Sequence, residues 1–406
     1  MNPRALVNVP GISMKLAFVI PWFGPDIPGG AEAECFHTAR HLHEAGVPVE
    51  VLTTCIQEFR SDWSINARPR GSETIQGMTV RRFPVAPRDT DAFNQINARL
   101  MNRIPITAEE ETVFLREMIR CDELIAWIER HQDDYVFLFI PYMFTTTYRG
   151  VLAAPNRSVL VPCLHDESYA YLGIYRPMFA QAQGIVLHTP AELSLAQQLY
   201  TLRDGAARLL GEGVHTHFVA DPARFKRTYR LDRFLLYAGR KDAGKNVPLL
   251  VDYFCRYKAL FPGELQLVLL GDGSVSIPAG HEHDVIDLGF VPVQDKYDAY
   301  AAALALCQPS LHESFSLVIM ESWLAERPVL VHERCQVTRD HCLASNGGLF
   351  FDSFTDFVGC LEYLQEHVRQ ACRLGQNGRR YVLANYTWDR IVKKYLHALH
   401  GWGFDW

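Results

Sequence analysis

The segment PSLHESFSLVIME at residues 309–321 decides the fold class, because it carries two spaced glutamates directly after an apolar run. That run, LALC at residues 304–307, predicts a buried strand, and we expect a helix to begin near Ser314–Ser316. On one ideal helix, Glu313 and Glu321 would point to nearly the same side, about 12 Å apart. Backbone N–H groups at a helix start bind hydroxyls or phosphate oxygens. The spacing alone also fits an ordinary charged helix start.

Short apolar runs alternate with helical periods in both directions from this segment, which is typical of α/β proteins. The run LAFVI at residues 16–20 precedes a loop ending in Gly29-Gly30, then a helix and the strand Val49–Leu52, which together form a βαβ unit. Residues 109–131 predict one long amphipathic helix, and the poorly patterned residues 84–107 predict a flexible excursion. A charged, turn-rich stretch at residues 211–233 predicts an interdomain connection.

Length and composition limit the possible classes. The 406 residues are too many for one ordinary core, so two domains are expected. A net charge of −6 gives no overall basic field, and nucleic acid is therefore not an expected partner. No apolar stretch is long enough for a membrane-spanning helix. Ten cysteines occur singly, which predicts reduced core residues in a cytoplasmic protein rather than a zinc site.

A second set of polar residues follows the predicted strand Leu235–Ala238. Arg240 and Lys245 lie in a glycine-containing turn after this strand. Ligands of open α/β sheets bind at the carboxyl ends of strands, where Arg and Lys can hold a diphosphate. Two solvated surface cations in a turn are an equally open interpretation.

Two weaker candidates lie in the first half of the chain. The pair Gly29-Gly30 opens a helix and would let the backbone approach an anion, although a plain tight turn fits as well. His165 follows the predicted strand Val159–Cys163 and could contact a substrate or act as an acid or base. The histidine pairs at residues 37/41 and 281/283 lack a third ligand nearby in sequence, so neither predicts a metal site.

Together these segments resemble the retaining glycosyltransferase family 4, also described as glycosyl transferases group 1. The resemblance rests on segments that occur in the family's order: YAGRKDAGKN (237–246), LLGDG (269–273), DLGFV (287–291) and PSLHESFSLVIMES (309–322). It implies an α/β GT-B fold, in which two Rossmann-like domains face each other across a donor-binding cleft. The implied domains are residues 1–215 and 216–386, with a final helix at about 387–406 packing back on the first domain.

The resemblance also implies roles for single residues. Arg240 and Lys245 would grip the donor diphosphate, Glu313 would contact the transferred sugar, and Glu321 would bind the ribose hydroxyls. The backbone amides expected to hold the sugar or a phosphate are those of Ser314, Phe315 and Ser316. The chain departs from the family at Ser316, where glycine is common.

Further implied contacts border this donor site. The backbone of Phe290-Val291 would lie beside the nucleotide base, Gly29-Gly30 near the phosphates or the acceptor, and His165 against the donor sugar. Family members keep the anomeric configuration, and they generally need no metal ion. The expected cofactor set is therefore empty, with a nucleotide sugar as substrate.

The resulting expectation is a retaining hexosyltransferase with a carbohydrate or lipid-linked saccharide acceptor, acting in polysaccharide or glycoconjugate biosynthesis. A sugar-nucleotide epimerase, a phosphorylase on the same fold and a non-catalytic sugar-nucleotide-binding subunit remain open, since fold alone does not decide chemistry. The protein is expected in the cytoplasm, either free or in peripheral contact with the inner face of the membrane. The residues considered for a basic-aromatic membrane surface are Arg68, Arg70, Arg81, Arg82, Arg88, Phe83 and Trp63.

Overall fold

The computed structural model describes residues 14–217, 219–241 and 244–405, which form two compact units. The N-terminal unit contains the described residues up to His188, Leu193–Leu210 and the chain from Val392 onward. The C-terminal unit contains Thr189–Glu192 and Gly211–Ile391. Each unit is built around its own sheet.

The N-terminal unit holds an eight-stranded sheet in the order β3-β4-β2-β1-β5-β6-β7-β8. Its strands are β1 (Lys15–Val19), β2 (Val49–Thr54), β3 (Gly71–Ile75), β4 (Met78–Phe83), β5 (Tyr135–Phe139), β6 (Ser158–Leu160), β7 (Gly184–Leu187) and β8 (Ala207–Leu209). All neighbours pair in parallel except the edge strand β3, which pairs antiparallel with β4. Strands β2, β5 and β7 are buried along their whole length, and β1 is buried except at Lys15, as expected for a parallel sheet covered on both faces.

Helices connect these strands. They are α1 (Gly30–Glu44), α2 (Thr90–Met101), α3 (Ala108–Arg116), α4 (Asp122–His131), α5 (Thr145–Ala153), α6 (Arg176–Gln181) and α7 (Pro190–Leu199). Short 3-10 turns at residues 155–157, 168–171 and 173–175 complete the unit. Its core is rich in aromatic rings, with Trp22 and Trp63 among them.

The C-terminal unit holds six parallel strands in the order β11-β10-β9-β12-β13-β14. The strands are β9 (Phe234–Ala238), β10 (Gln266–Leu270), β11 (Val285–Gly289), β12 (Ala305–Gln308), β13 (Val329–His332) and β14 (Gly348–Phe351). The first three strands are added in one direction and the next three in the other, so the order reverses between β9 and β12. In open α/β sheets, ligands bind in the crevice outside the carboxyl ends of the strands at such a reversal.

Eight helices pack around this sheet or lead away from it in the described chain. They are α8 (Pro222–Tyr229), α9 (Val247–Leu260), α10 (Val293–Ala302), α11 (Leu317–Leu324), α12 (Gln336–Ser345), α13 (Phe354–Glu366), α14 (Val368–Asn385) and α15 (Trp388–Gly401). Helix α15 begins in the C-terminal unit, and its residues from Val392 onward belong to the N-terminal unit.

Two sequence predictions about helices are wrong. Residues 109–131 form α3 and α4 rather than one helix, and residues 84–107 contain α2 rather than a flexible excursion. The connection between α3 and α4 carries the buried residues Met118 and Ile119. It therefore continues the apolar pattern of a helix without having its backbone conformation. Helix α2 buries only a narrow apolar stripe, and its many polar residues obscured the helical period in the sequence.

Two residues considered for a basic-aromatic surface, Arg82 and Phe83, cannot belong to one, because both are buried. Arg82 donates to Glu73 and to the carbonyl oxygen of Phe23. Of the other arginines, Arg81 pairs with Glu50, Arg70 pairs with Glu123, and Arg88 lies over the rings of Trp63 and Phe93. Each of these arginines contacts another residue of the same unit, and the Arg70 side chain is 68% exposed. No helix in the described chain is long and apolar enough to cross a bilayer.

Helices α11 and α14 approach closely because Gly378 has no side chain. A Cβ atom at Gly378 would lie 2.1 Å from Cδ1 of Trp323. The indole of Trp323 is fully buried, and its Nε1–H donates to the carbonyl oxygen of Gly347 over 2.8 Å. The ring therefore has no room to move away from a larger residue.

We expect Gly378→Ala to destabilise the protein by about 1–3 kcal/mol through overpacking, although alanine is the better helix former. The matched control is Gly359→Ala in α13, where an added Cβ atom meets nothing within 4 Å. Helix propensity alone should make that variant more stable by roughly 1 kcal/mol. Thermal unfolding followed by circular dichroism measures both, and a rise in the midpoint for both variants would contradict the close packing.

Candidate functional site

The candidate site lies at the strand reversal of the C-terminal sheet, where the loops after β9 and β12 lie side by side. Nζ of Lys245, from the first loop, is 2.8 Å from Oε1 of Glu313, from the second. The side-chain amide of Asn246 donates to the carbonyl oxygen of Pro309 over 3.1 Å. The two loops are thus joined by an ion pair and a hydrogen bond. Asp242 and Ala243, in the first loop, lie outside the described residues.

Glu313 is held from two sides. Besides Lys245, the amide nitrogen of Gln308 donates to Oε1 of Glu313 over 3.1 Å. The Glu313 side chain is mostly shielded, and that of Lys245 is about one quarter exposed. A cation and a carboxylate are therefore fixed at the point where the fold favours ligand binding.

Arg240 is exposed in the same loop, and its backbone is fixed by Tyr237, whose buried hydroxyl donates to the Arg240 carbonyl oxygen over 2.5 Å. The neighbouring Lys241 points inward instead. Its ammonium donates to the carbonyl oxygen of Gly271 and to Oδ1 of Asp287, each over 2.6 Å. Lys241 therefore ties the ends of β9, β10 and β11 together, a structural role that the sequence analysis missed.

Gly271 permits the close approach of two strand ends. A Cβ atom there would lie 2.2 Å from the carbonyl oxygen of Gly239, and the residue has φ of +113°. Only glycine fits both conditions without strain. This explains why the LLGDG segment carries its first glycine directly after β10.

The loop after β12 does not continue as a helix from Glu313. Helix α11 begins at Leu317, and Ser316 precedes it in the left-handed conformation with φ of 74°. This start is within one residue of the predicted one. Glu313 lies before α11, and the ideal-helix spacing to Glu321 does not apply, because Ser316 turns the chain between them. The left-handed conformation of Ser316 costs about 1–2 kcal/mol for an ordinary residue and far less for glycine. Glycine is common at this position in the family that the sequence resembles.

The three residues before α11 differ in exposure. Phe315 is buried, with its ring edge-on to those of Tyr386 and His341 at centroid distances of 4.9 and 5.3 Å. Ser314 is partly exposed, whereas Ser316 is buried. Phe315 thus anchors the segment, and the first backbone N–H groups of α11 follow it.

Glu321 lies on α11 and is bound by two residues of α10. Nζ of Lys296 is 2.7 Å from Oε1 of Glu321, and the hydroxyl of Tyr300 donates to Oε2 over 2.9 Å. Burial opposes the charge on Lys296, but the adjoining Glu321 carboxylate outweighs it and raises the pKa of the Lys296 ammonium. Sequence reasoning missed both partners. Their spacing of four residues on one helix face was the available signal.

Phe290 and Val291 follow β11, the strand at the edge of the sheet. Phe290 is 70% exposed, which is unusual for a large apolar side chain, and Val291 is partly buried. Helix α10, which carries Lys296, begins two residues after Val291. The predicted base-bordering segment and the partners of Glu321 are therefore consecutive in the chain.

The remaining predicted residues belong to the N-terminal unit. Gly29, at the N terminus of α1, has φ of 147°, and a Cβ atom there would lie 1.9 Å from Oε2 of Glu32. Gly30 faces open space. His165, after β6, has Nδ1 3.5 Å from Oε2 of Glu167.

Glu167 links His165 to the core of the N-terminal unit. The buried hydroxyl of Tyr142 donates to Oε1 of Glu167 over 3.1 Å. Burial raises the pKa of the Glu167 carboxyl, and His165 and Tyr142 oppose that rise. The predicted residues thus fall into two groups: one in the C-terminal unit around Lys245, Glu313 and Glu321, and one in the N-terminal unit around His165 and Gly29-Gly30.

Comparison with known proteins fits this arrangement. Residues 232–366 match the family model described as "Glycosyl transferases group 1". A trehalose synthase of Rubrobacter xylanophilus is 23% identical over 401 aligned residues, which cover 90% of this chain and 86% of the relative. The matched region contains both loops of the candidate site.

Solved structures show the fold. HepE of Anabaena, in complex with UDP and glucose, superposes with a TM-score of 0.68 at 12% identity, over 95% of this chain and 99% of that one. Sucrose-phosphate synthase of Thermosynechococcus elongatus gives 0.69 at 16% identity, over 95% and 98%. The chain has the GT-B glycosyltransferase fold. The resemblance to glycosyl transferases group 1 and the predicted GT-B fold class are thereby confirmed.

The interaction energy between Lys296 and Glu321 can be measured without a ligand. We expect a double-mutant cycle with Lys296→Met and Glu321→Gln to give a coupling energy of about 1 kcal/mol, because both side chains are partly shielded from water. The matched control is the more exposed pair Lys226–Asp232, with an expected coupling below about 0.5 kcal/mol. Urea unfolding supplies the energies, and equal coupling in both pairs would contradict a fixed Glu321.

Proposed function

We propose that the protein is a retaining glycosyltransferase, which moves a sugar from a nucleotide-sugar donor to a carbohydrate or lipid-linked saccharide acceptor. The observation that carries the proposal is the Lys245–Glu313 contact of 2.8 Å at the strand reversal. It brings a cation for phosphate and a carboxylate for sugar hydroxyls to the place where GT-B-like sheets open to ligands. The family model and the structural neighbours support a glycosyltransferase.

In this proposal, Arg240 and Lys245 bind the donor diphosphate. When the bond between the sugar and the diphosphate breaks, negative charge grows on the leaving oxygen, and fixed cations stabilise it. Arginine offers a planar fork for phosphate oxygens and lysine a point charge. The first N–H groups of α11, at Ser316 and beyond, add donors at the same edge. In this proposal, these protein groups stabilise the negative charge on the leaving oxygen without a metal ion or other cofactor.

The two carboxylates bind hydroxyl groups. Glu313 accepts from the transferred sugar, and Glu321 accepts from the ribose, while the backbone of Phe290-Val291 borders the base. A carboxylate has about four acceptor positions, so Glu321 can receive two ribose hydroxyls while it keeps Lys296 and Tyr300. Because those two partners already fix its orientation, donor binding need not order Glu321.

The roles of the N-terminal residues belong to the same proposal. His165 meets the donor sugar, and Gly29-Gly30 lets the backbone approach the phosphates or the acceptor. Transfer proceeds with retention by attack on the face that the diphosphate leaves, and the leaving phosphate takes the acceptor proton. Each of these roles can be tested by substituting the residue concerned.

The choice of substrates to test follows from the comparisons. The relative that spans most of the chain is named a trehalose synthase, and HepE was solved with UDP and glucose. UDP-glucose with free glucose is therefore the first pair to assay. A second neighbour, WaaG, is described as a glycosyltransferase of lipopolysaccharide biosynthesis, so a lipid-linked saccharide is the second acceptor class.

The function is tested by incubating the protein with each donor and acceptor and following nucleotide release. Proton NMR of the product then gives the anomeric configuration. We expect release that depends on the acceptor and a product with the donor's configuration. Inversion would contradict the retaining mechanism. Donor conversion without acceptor would favour an epimerase, and nucleotide binding without turnover a non-catalytic subunit.

Lys245→Met should lower kcat/KM by about 10²–10³-fold, the usual effect of removing one charge-stabilising donor from a transition state. The matched control is Lys226→Met in α8, whose lysine pairs with Asp232 and has no place in the proposed site. Steady-state kinetics with the active donor measure both variants. Equal activity of Lys245→Met and the wild type would remove Lys245 from the mechanism.

A further inference from the structure

A compact cluster of possible metal ligands lies inside the N-terminal unit, apart from the residues assigned above. Oε1 of Glu34 is 2.9 Å from Nε2 of His188, and Sγ of Cys163 is 3.3 Å from Oε2 of Glu34. The three potential ligand atoms all lie within 4.8 Å of one another. In the part of the chain that the structure describes, this is the one group of three or more such residues with that geometry.

The cluster combines burial with access. Glu34 is 4% and His188 2% exposed, whereas Cys163 is partly exposed. Buried ionisable groups are costly unless they are paired or coordinate a metal. The partial exposure of Cys163 gives an ion and a water molecule a route from solvent.

The backbone at Cys163 aims its thiol at the carboxylate. Cys163 has φ of 52°, in the left-handed region that residues other than glycine and asparagine rarely adopt. Such a conformation persists where the surroundings enforce it, often at functional sites. The Cys163 thiol lies 3.3 Å from Oε2 of Glu34, and a neutral thiol is only a weak hydrogen-bond donor. As a thiolate, however, cysteine is a strong ligand for zinc.

The distances fit a tetrahedral metal ion. Zinc binds sulfur at about 2.3 Å and nitrogen or oxygen at about 2.0–2.2 Å, which separates neighbouring ligand atoms by roughly 3.3–3.6 Å. The separations of 2.9 and 3.3 Å involve the two different oxygens of the Glu34 carboxylate. With one ligand atom from each residue, the three atoms lie within 4.8 Å of one another, so side-chain rotations of about an ångström would bring them to this spacing. Three protein ligands leave the fourth position to water.

We propose that Glu34, Cys163 and His188 bind one divalent transition-metal ion, with zinc favoured by the set of one thiolate, one imidazole and one carboxylate. On binding, the Cys163 thiol releases its proton to solvent, while Glu34 binds as the carboxylate and His188 as the neutral imidazole. The proposal does not depend on the proposed transferase activity.

The ion would brace the N-terminal unit. Glu34 is in α1, close after Gly29-Gly30, and Cys163 precedes His165 by two residues. His188 directly follows β7. One ion would therefore fix the start of α1 and the loops after β6 and β7 at the carboxyl edge of this sheet. The ion would stabilise this edge of the sheet, and the proposed sugar transfer uses the cations of the C-terminal unit.

The experiment is a titration of the full-length, chelator-treated protein with zinc chloride, followed by calorimetry, and with cobalt(II), followed by absorbance. We expect one equivalent to bind with proton release, a higher thermal midpoint, and a thiolate-to-cobalt charge-transfer band. Cys163→Ser should abolish the band and weaken zinc binding by more than about 100-fold, since even outer-shell changes cost 10–100-fold. Cys372→Ser, which removes an exposed cysteine, is the matched control and should behave as the wild type.

Other outcomes overturn the proposal. Wild-type protein that binds no stoichiometric zinc, or a cobalt complex without the thiolate band, would refute it. Binding that survives Cys163→Ser and is lost in His281→Ala would place the ion at the surface histidines. The spectrum of the wild-type cobalt complex decides the matter even where a variant fails to fold. Because no donor is present, the result is separate from the test of transferase activity.

Discussion

The reversal of strand order between β9 and β12 is the constraint on which the candidate site depends. It brings together the loops after two strands that are distant in sequence, and Lys245 reaches Glu313 across 68 positions of chain. Gly271 allows the neighbouring strand ends to approach closely because it has no side chain. The buried ammonium of Lys241 holds these ends together through its hydrogen bonds. The position of the site is therefore a consequence of topology, and its chemistry comes from side chains placed on that edge.

The charges at this edge are arranged as fixed pairs. Lys245 faces Glu313, and Lys296 faces Glu321, with Tyr300 on the second carboxylate oxygen. Side chains that are already oriented lose little entropy when a ligand binds, and they stabilise developing charge without rearrangement. A polar site of this kind suits a donor that carries both a diphosphate and many hydroxyl groups. In the proposed donor complex, this pairing would limit the repulsion between the two carboxylates and the diphosphate.

Sequence reasoning succeeded where local pattern and topology agree. The apolar runs at residues 16–20, 235–238 and 304–307 match β1, β9 and β12 to within one residue at each end. Polar residues after these strands meet because parallel strands end at one edge. It failed where a conformation or contact is set by tertiary structure. Nothing in the sequence shows that Ser316 is left-handed, or that the connection between α3 and α4 is not helical. The cluster of Glu34, Cys163 and His188 spans more than 120 residues and was invisible to a search for short ligand spacings.

The proposed function requires that the carboxyl edge of the C-terminal sheet, at the strand reversal, binds the diphosphate of the donor. The decisive experiment is a crystal structure of the protein with the nucleoside diphosphate that stabilises it most. We expect diphosphate oxygens within hydrogen-bond distance of Nζ of Lys245 and of the first amides of α11, with the ribose hydroxyls on Glu321. A diphosphate bound away from Lys245, or at the carboxyl edge of the N-terminal sheet alone, would contradict it.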